Sequence, residues 1–220
     1  MGRLSKAAIV AMALDLVGNS NPKFQIIVEG WLDLILDDVA RNFRFPDLEK
    51  RHIAPIAAGA DTLAYPSDYA FLVKDRTSRA EGVFVQSDGS RSLIYLASLG
   101  ATRDHPDHTA TAGGVPSQVA DDPENQQWIL HPVVSPAGTV KLNYQSIPAN
   151  VASAAVPWFP DDEAMVEAVT FLAERRQRGG QTQLAKDLKE ATLRLARASP
   201  NRAQLWQGGS GSGLGPRIFR

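Results

Sequence analysis

The stretch Pro22–Leu48, PKFQIIVEGWLDLILDDVARNFRFPDL, reads as one long amphipathic helix with an aromatic-proline stop, and the remaining chain must fold so as to cover it. Phe24, Ile27, Val28, Trp31, Ile35, Val39 and Phe43 recur at three- and four-residue steps. Large apolar groups therefore share one stripe, while Glu29, Asp33 and Asp37 fall elsewhere. Asn21 is a good cap, Pro22 suits the first helical position, and Pro46 cannot continue the helix. At about 1.5 Å per residue, a helix from Pro22 to Phe43 spans ~33 Å. The next helices with matching apolar faces follow residue 160, so the chain is expected to leave the helices and return to them.

A first helix is predicted from Leu4 to Val17, broken at Gly18-Asn19-Ser20. Its start, MGRLSKAAIVAMALDLVG, is basic and then apolar like a short signal peptide. Asp15 interrupts the run and no clean small-residue cleavage site follows, which favours the helix. From His52 to Ile147 the texture changes to short apolar runs, HIAPIAA, FLVKD, GVFVQ, SLIYLAS, QWILHPVV and TVKLNYQSI, separated by turn residues. Val140, Leu142 and Tyr144 alternating with Lys141, Asn143 and Gln145 give the cleanest strand signal. Residues 101–124 carry almost no apolar periodicity and read as a long exposed loop.

After Pro160 the helical period resumes. Asp161, Asp162 and Glu163 load a first turn, Met165, Val166, Val169, Phe171 and Leu172 follow, and Gly179-Gly180 ends the element. A last helix from Thr182 to about Arg197 puts Leu184, Leu188, Ala191 and Leu195 on one face, with Lys186–Glu190 and Glu190–Arg194 as outer pairs. The expected fold class is α+β: a helical bundle built from both chain ends with an inserted β-rich domain. The expected divisions are N-terminal helices over 1–50, the β-rich domain over 51–150, C-terminal helices over 151–206 and an extended docking tail over 207–220.

Charge is uneven along the chain. Residues 1–170 hold 13 Lys and Arg against 21 Asp and Glu, whereas residues 171–220 hold 10 against 3. A basic segment on an acidic body points to an acidic partner surface or to nucleic acid. Arg175, Arg176 and Arg178 also suit the C-terminal end of a helix dipole, which accounts for three of those charges. There is no cysteine, which excludes disulfides and thiolate metal sites, and no run approaches a membrane span. The tail, from Gln207 to Pro216, is composed like a flexible linker and ends in Arg217-Ile218-Phe219-Arg220, two apolar residues between two cations.

Candidate chemistry is sparse. Asp104, His105, Asp107 and His108 concentrate four possible ligands for a metal such as zinc, which makes a metal-dependent hydrolase the best enzyme reading; a solvated polar loop is the plainer one. His52 and His131 sit inside apolar runs and read as strand residues. No GxSxG elbow occurs, and Gly113-Gly114 lacks the Lys and Ser/Thr of a phosphate-binding loop. Asp121-Asp122 and Asp161-Asp162 are adjacent pairs whose side chains diverge on a helix or strand, so no catalytic dyad is implied. Trp128, Trp158 and Trp206 read as packing anchors. A nucleic-acid-binding module using the basic C-terminal segment is a further alternative, although that segment has no recognition-helix pattern. No catalytic residue and no cofactor is expected.

Three segments carry a family resemblance. Trp31-Leu32 through Ala40-Arg41-Asn42-Phe43-Arg44-Phe45-Pro46-Asp47-Leu48, then Asp61-Thr62-Leu63-Ala64-Tyr65-Pro66-Ser67-Asp68-Tyr69, then Pro157-Trp158-Phe159-Pro160-Asp161-Asp162 before a helix, occur in an order that resembles the head-to-tail adaptor proteins of tailed bacteriophages. The resemblance implies a structural, non-enzymatic virion protein at the head–tail junction, assembled in the host bacterial cytoplasm. It further implies a homo-oligomeric ring of twelve copies, docked on a portal protein and receiving a tail or nozzle protein. Genomic DNA would pass through its channel without specific binding. Portal docking is then expected from Leu214, Arg217, Ile218, Phe219 and Arg220, and lateral or portal contacts from Arg175, Arg176, Arg178, Arg194 and Arg197.

Overall fold

The computed structural model describes residues 3–19, 21–75, 77–103, 113–178, 183–198 and 204–205. The chain forms two compact units, one from Met1–Pro46 with Ile147–Leu205 and the other from Asp47–Ser146.

In the first unit, α1 (Lys6–Val17) starts where the Ser5 hydroxyl accepts from the Ala8 N–H at 3.2 Å, and it stops at Gly18, whose φ of 71° suits a residue without Cβ. α2 (Pro22–Asn42) is capped by Asn21, which accepts from the Lys23 N–H at 3.0 Å, with Pro22 in the first turn. It ends one residue before the expected Phe43, which instead opens β1 (Phe43–Arg44), paired antiparallel with β10 (Gln204–Leu205). α4 (Asp162–Gln177) is capped by Asp161, and α5 (Leu184–Ala198) follows. α1 packs on α4, α4 on α5, and α2 on α5. Ile9, Val10, Val28, Leu32, Ile35, Met165, Val169 and Leu195 are all sealed from solvent, and Ala13, Ala40, Ala168, Ala173 and Ala191 let the helices approach. One buried ion pair ties this core: Lys6 Nζ lies 2.6 Å from Asp33 Oδ2 and 3.4 Å from the Val151 carbonyl oxygen.

The second unit is an eight-stranded sheet in the order β2-β9-β5-β6-β7-β8-β3, with β4 also on β9. Its strands are β2 (Glu49–Ile56), β3 (Thr62–Ala64), β4 (Tyr69–Leu72), β5 (Gly82–Gln86), β6 (Arg91–Leu96), β7 (Gln118–Asp122), β8 (Gln127–His131) and β9 (Gly138–Ser146). All neighbours are antiparallel except β6 and β7, paired parallel through Tyr95↔Gln118 and Leu96↔Val119. The long β9 is central, with His52↔Leu142 on one edge and Gly82↔Leu142 on the other. Gly82 is required there, because a Cβ would lie 2.4 Å from the Lys141 carbonyl oxygen. Val140, Leu142 and Tyr144 point inward as expected, and Gln145 is buried as well.

The expectation of a helical bundle carrying an inserted β-rich domain is corrected. Among the described residues, this large, barrel-like sheet dominates, accompanied by four longer helices. The sheet has its own continuous core, in which Ile56, Leu72, Phe84, Ile94, Val119, Trp128, Leu130, Val134, Val140 and Leu142 pack together. Position between helices in the sequence suggested an insertion. A curled sheet of eight strands, however, buries whole faces of large aliphatic and aromatic groups, and that decides which element forms the main body. The exposed loop predicted over 101–124 is also corrected: α3 (Leu99–Arg103) and β7 occupy part of it. β7 reads QVADD, and its two apolar residues are too few to register as a period, yet both are buried between β6 and β8.

Candidate functional site

Helix α4 builds the most distinctive surface. Asp161 accepts from the Ala164 N–H at 3.0 Å, whereas the neighbouring Asp162 turns away, accepting from the Leu4 N–H at 2.8 Å and pairing with Arg3 at 3.2 Å. The two carboxylates of that adjacent pair thus serve different partners. Two turns on, Phe171 is half-buried with two cations near its ring. The Arg194 guanidinium of α5 lies 4.1 Å from the ring centroid and that of Arg175 lies 5.4 Å away. Arg194 also reaches Glu190 at 2.9 Å and Glu167 at 4.0 Å, while Arg178 pairs with Glu174 at 3.8 Å.

Beside this ring lies an open groove of ≈ 450 Å³ between α1, α4 and α5. Leu4, Met12, Leu16, Val166, Thr170 and Phe171 line its apolar part, and Asp162, Glu163, Glu167 and Glu174 its acidic rim, with Arg194 the cation among them. Met12 and Leu16 are 48 % and 69 % exposed, high for large apolar side chains flanking a concave surface. An apolar floor with carboxylates at the edge suits an apolar side chain that travels with a cation. On the outer face of α2, Ile26, Ile27 and Leu34 are exposed too, and Ile27 leaves the buried stripe expected of it.

Of the five arginines singled out in sequence, the fold brings Arg175 and Arg194 onto one ring and sets Arg178 one turn along. Arg176 is half-buried on α4, and Arg197 is exposed near the end of α5. Leu214, Arg217, Ile218, Phe219 and Arg220 lie outside the described residues, as do Trp206 and the Asp104, His105, Asp107 and His108 cluster. Among the described residues, no group of three or more His, Asp or Glu side chains could hold a metal ion.

The sheet holds a polar cluster that sequence reasoning missed. Tyr69 and Tyr65 both donate their hydroxyls to Asp121 Oδ1, the latter at 3.4 Å, and both rings pack on buried Trp128 with centroids 5.1 Å away. Burial, reinforced by the Asp121 charge, pushes both phenols far above their ordinary range. Burial likewise raises the Asp121 carboxyl, against the opposing tyrosine hydrogen bonds. Asp122 faces elsewhere, toward Asn125 and Gln127 at 2.8 and 3.1 Å. Nearby, Tyr144 donates to Asp68 at 2.9 Å and is pushed up to about 12 by burial and by that bond; Lys50 and Tyr144 together hold Asp68 below the usual carboxylate range against its own burial. The three tyrosine hydroxyls keep their protons, and their hydrogen bonds to Asp121 and Asp68 bind the strands together. The repeat of Tyr about one turn apart around Pro66 was the available signal, but its carboxylate partner lies more than fifty residues away.

No helix among the described residues is long and apolar enough to cross a membrane. A comparison with curated proteins finds no match. A family model described as SU10 adaptor protein matches residues 6–209, spanning both units and nearly the whole chain. The chain therefore belongs to the SU10 adaptor protein family, a family of phage adaptors that form part of the virion.

Proposed function

We propose that this protein is the head-to-tail adaptor ring of a tailed phage: a ring of twelve copies that docks on the portal, receives a tail or nozzle protein and continues the DNA channel without catalysis. The family match over residues 6–209 is the observation that carries the reading. Two surface features support it. Exposed Ile26, Ile27 and Leu34 on the rigid α2 offer apolar area to a neighbouring copy, and the Arg175, Arg178 and Arg194 edge offers cations to an acidic one. The acidic excess of residues 1–170 suits passage of DNA without adhesion wherever those carboxylates face the lumen.

In this reading Leu214, Arg217, Ile218, Phe219 and Arg220 dock on the portal, and Arg175, Arg176, Arg178, Arg194 and Arg197 make lateral or portal contacts. The test is a mass measurement of the purified protein alone and mixed with portal. A small discrete species that becomes a large ring on mixing supports the reading, and an unchanged mass overturns it. A chain lacking residues 208–220 should fold yet fail to enter tailed particles; normal incorporation refutes the docking assignment.

A further inference from the structure

The groove beside Phe171 is apolar at its floor and acidic at its rim, and one stretch of this same sequence has the complementary composition. Arg217-Ile218-Phe219-Arg220 sets two large apolar side chains between two cations, at the end of a run of Gly and Ser. We infer that in the free protein this segment seats in its own groove, with Ile218 and Phe219 over Met12 and Leu16 and an arginine at Glu163.

Reach and charge support that occupant. The last described residue, Leu205, pairs with Phe43 at the C-terminal end of α2. Two residues on, the Phe45 ring lies 5.9 Å from that of Phe159, and Phe159 stands three residues before Asp162 at the mouth of the groove. These steps reach the mouth in roughly 30 Å, and Leu16 lies about 18 Å farther along α1 from Leu4, a path that the chain from Leu205 to Phe219, about 48 Å when extended, just covers. Of the four carboxylates lining the groove, Asp162, Glu167 and Glu174 already pair with Arg3, Arg194 and Arg178, so the charge match to a segment with two cations is local to the Glu163 end and the apolar floor carries the rest of the fit. A tethered segment also meets the groove at an effective concentration of roughly millimolar, far above that of a second copy in dilute solution. Apolar side chains that would otherwise be left in water on both partners are then covered together.

This inference concerns the free chain and stands apart from the portal reading. If both hold, the tail leaves an intramolecular seat when it engages the portal, and assembly competes with that seat.

The chain contains no cysteine, so two introduced thiols report cleanly on proximity. Leu16 lines the groove and is 69 % exposed; Leu34 does not line it and is 55 % exposed, so Leu34 is a matched control. In the full chain at about 1 µM, Leu16→Cys with Arg220→Cys should form an intramolecular disulfide about tenfold faster than Leu34→Cys with Arg220→Cys. Adding Phe219→Ala to the first pair should bring its rate down to that of the control. Equal rates for the two pairs, or indifference to Phe219→Ala, overturn the inference. So does a product made mainly of disulfide-linked dimers, which would place the segment on another copy. Both introduced positions are at exposed or terminal sites, so the variants are expected to fold. No portal is present, and a failed portal interaction leaves the rates untouched.

Discussion

Breaking the ion pair between Lys6 and Asp33 should cost more from one side than from the other. At an effective permittivity of about 20, unit charges 2.6 Å apart attract by ~6 kcal/mol, and most of that is spent in removing both groups from water. What a single substitution reveals is the penalty on the partner left behind. The Lys6 side chain is 7 % exposed and retains only the Val151 carbonyl at 3.4 Å, whereas the Asp33 side chain is 18 % exposed and can draw on solvent. Asp33→Leu, which strands the ammonium, should therefore destabilise by about 4 kcal/mol, and Lys6→Met, which strands the carboxylate, by about 2–3 kcal/mol. The double variant replaces both charges with apolar groups and should lie within ~1 kcal/mol of the parent. Urea unfolding of the four proteins, compared at a common denaturant slope, gives the cycle. Additive single effects below ~1 kcal/mol, or a larger loss from Lys6→Met than from Asp33→Leu, refute the argument.

Trp128→Ala removes a fully buried indole that two tyrosine rings pack against, and should cost about 4 kcal/mol in a urea titration; a loss below ~1 kcal/mol contradicts the packing described. Gly82→Ala places a Cβ 2.4 Å from the Lys141 carbonyl oxygen and 2.6 Å from Leu142 Cδ2, so a loss of about 1–3 kcal/mol is expected, and an unchanged midpoint would show that β9 can move aside. Burial raises the Asp121 carboxyl, so its proton is held more tightly in the folded chain than in the unfolded one. Its contribution is complete below the unfolded value and is lost as pH rises through the raised one. Asp121→Asn cannot ionise, and its stability relative to the parent should climb as pH rises above the ordinary carboxylate value of about 3.9 and level off once pH has passed the raised one; a difference independent of pH sinks the assignment.

Local signals carried much of the secondary structure. Asn21-Pro22 and Phe43-Arg44-Phe45-Pro46 bound α2 almost to the residue, because caps and proline act through atoms a few bonds away. Val140, Leu142 and Tyr144 announce β9 because a strand with one covered face leaves its period in the residue types. β7 left no such trace, since Val119 and Ala120 are buried by neighbours and the remaining residues of that strand are polar. Phe171 looked like one more core residue of α4, and nothing local revealed that Arg194, from another helix, would cover its ring.

The longer helices, the ends of α2 and the clearest strands were thus readable along the chain, while α3, β7, the dominance of the curled sheet, the parallel pairing of β6 with β7 and the joining of Tyr65 and Tyr69 to Asp121 were not. Periodicity says that a face must be covered, and caps say where an element stops. Which distant face does the covering depends on the burial and hydrogen bonding of the whole packed chain, a sum no short window contains.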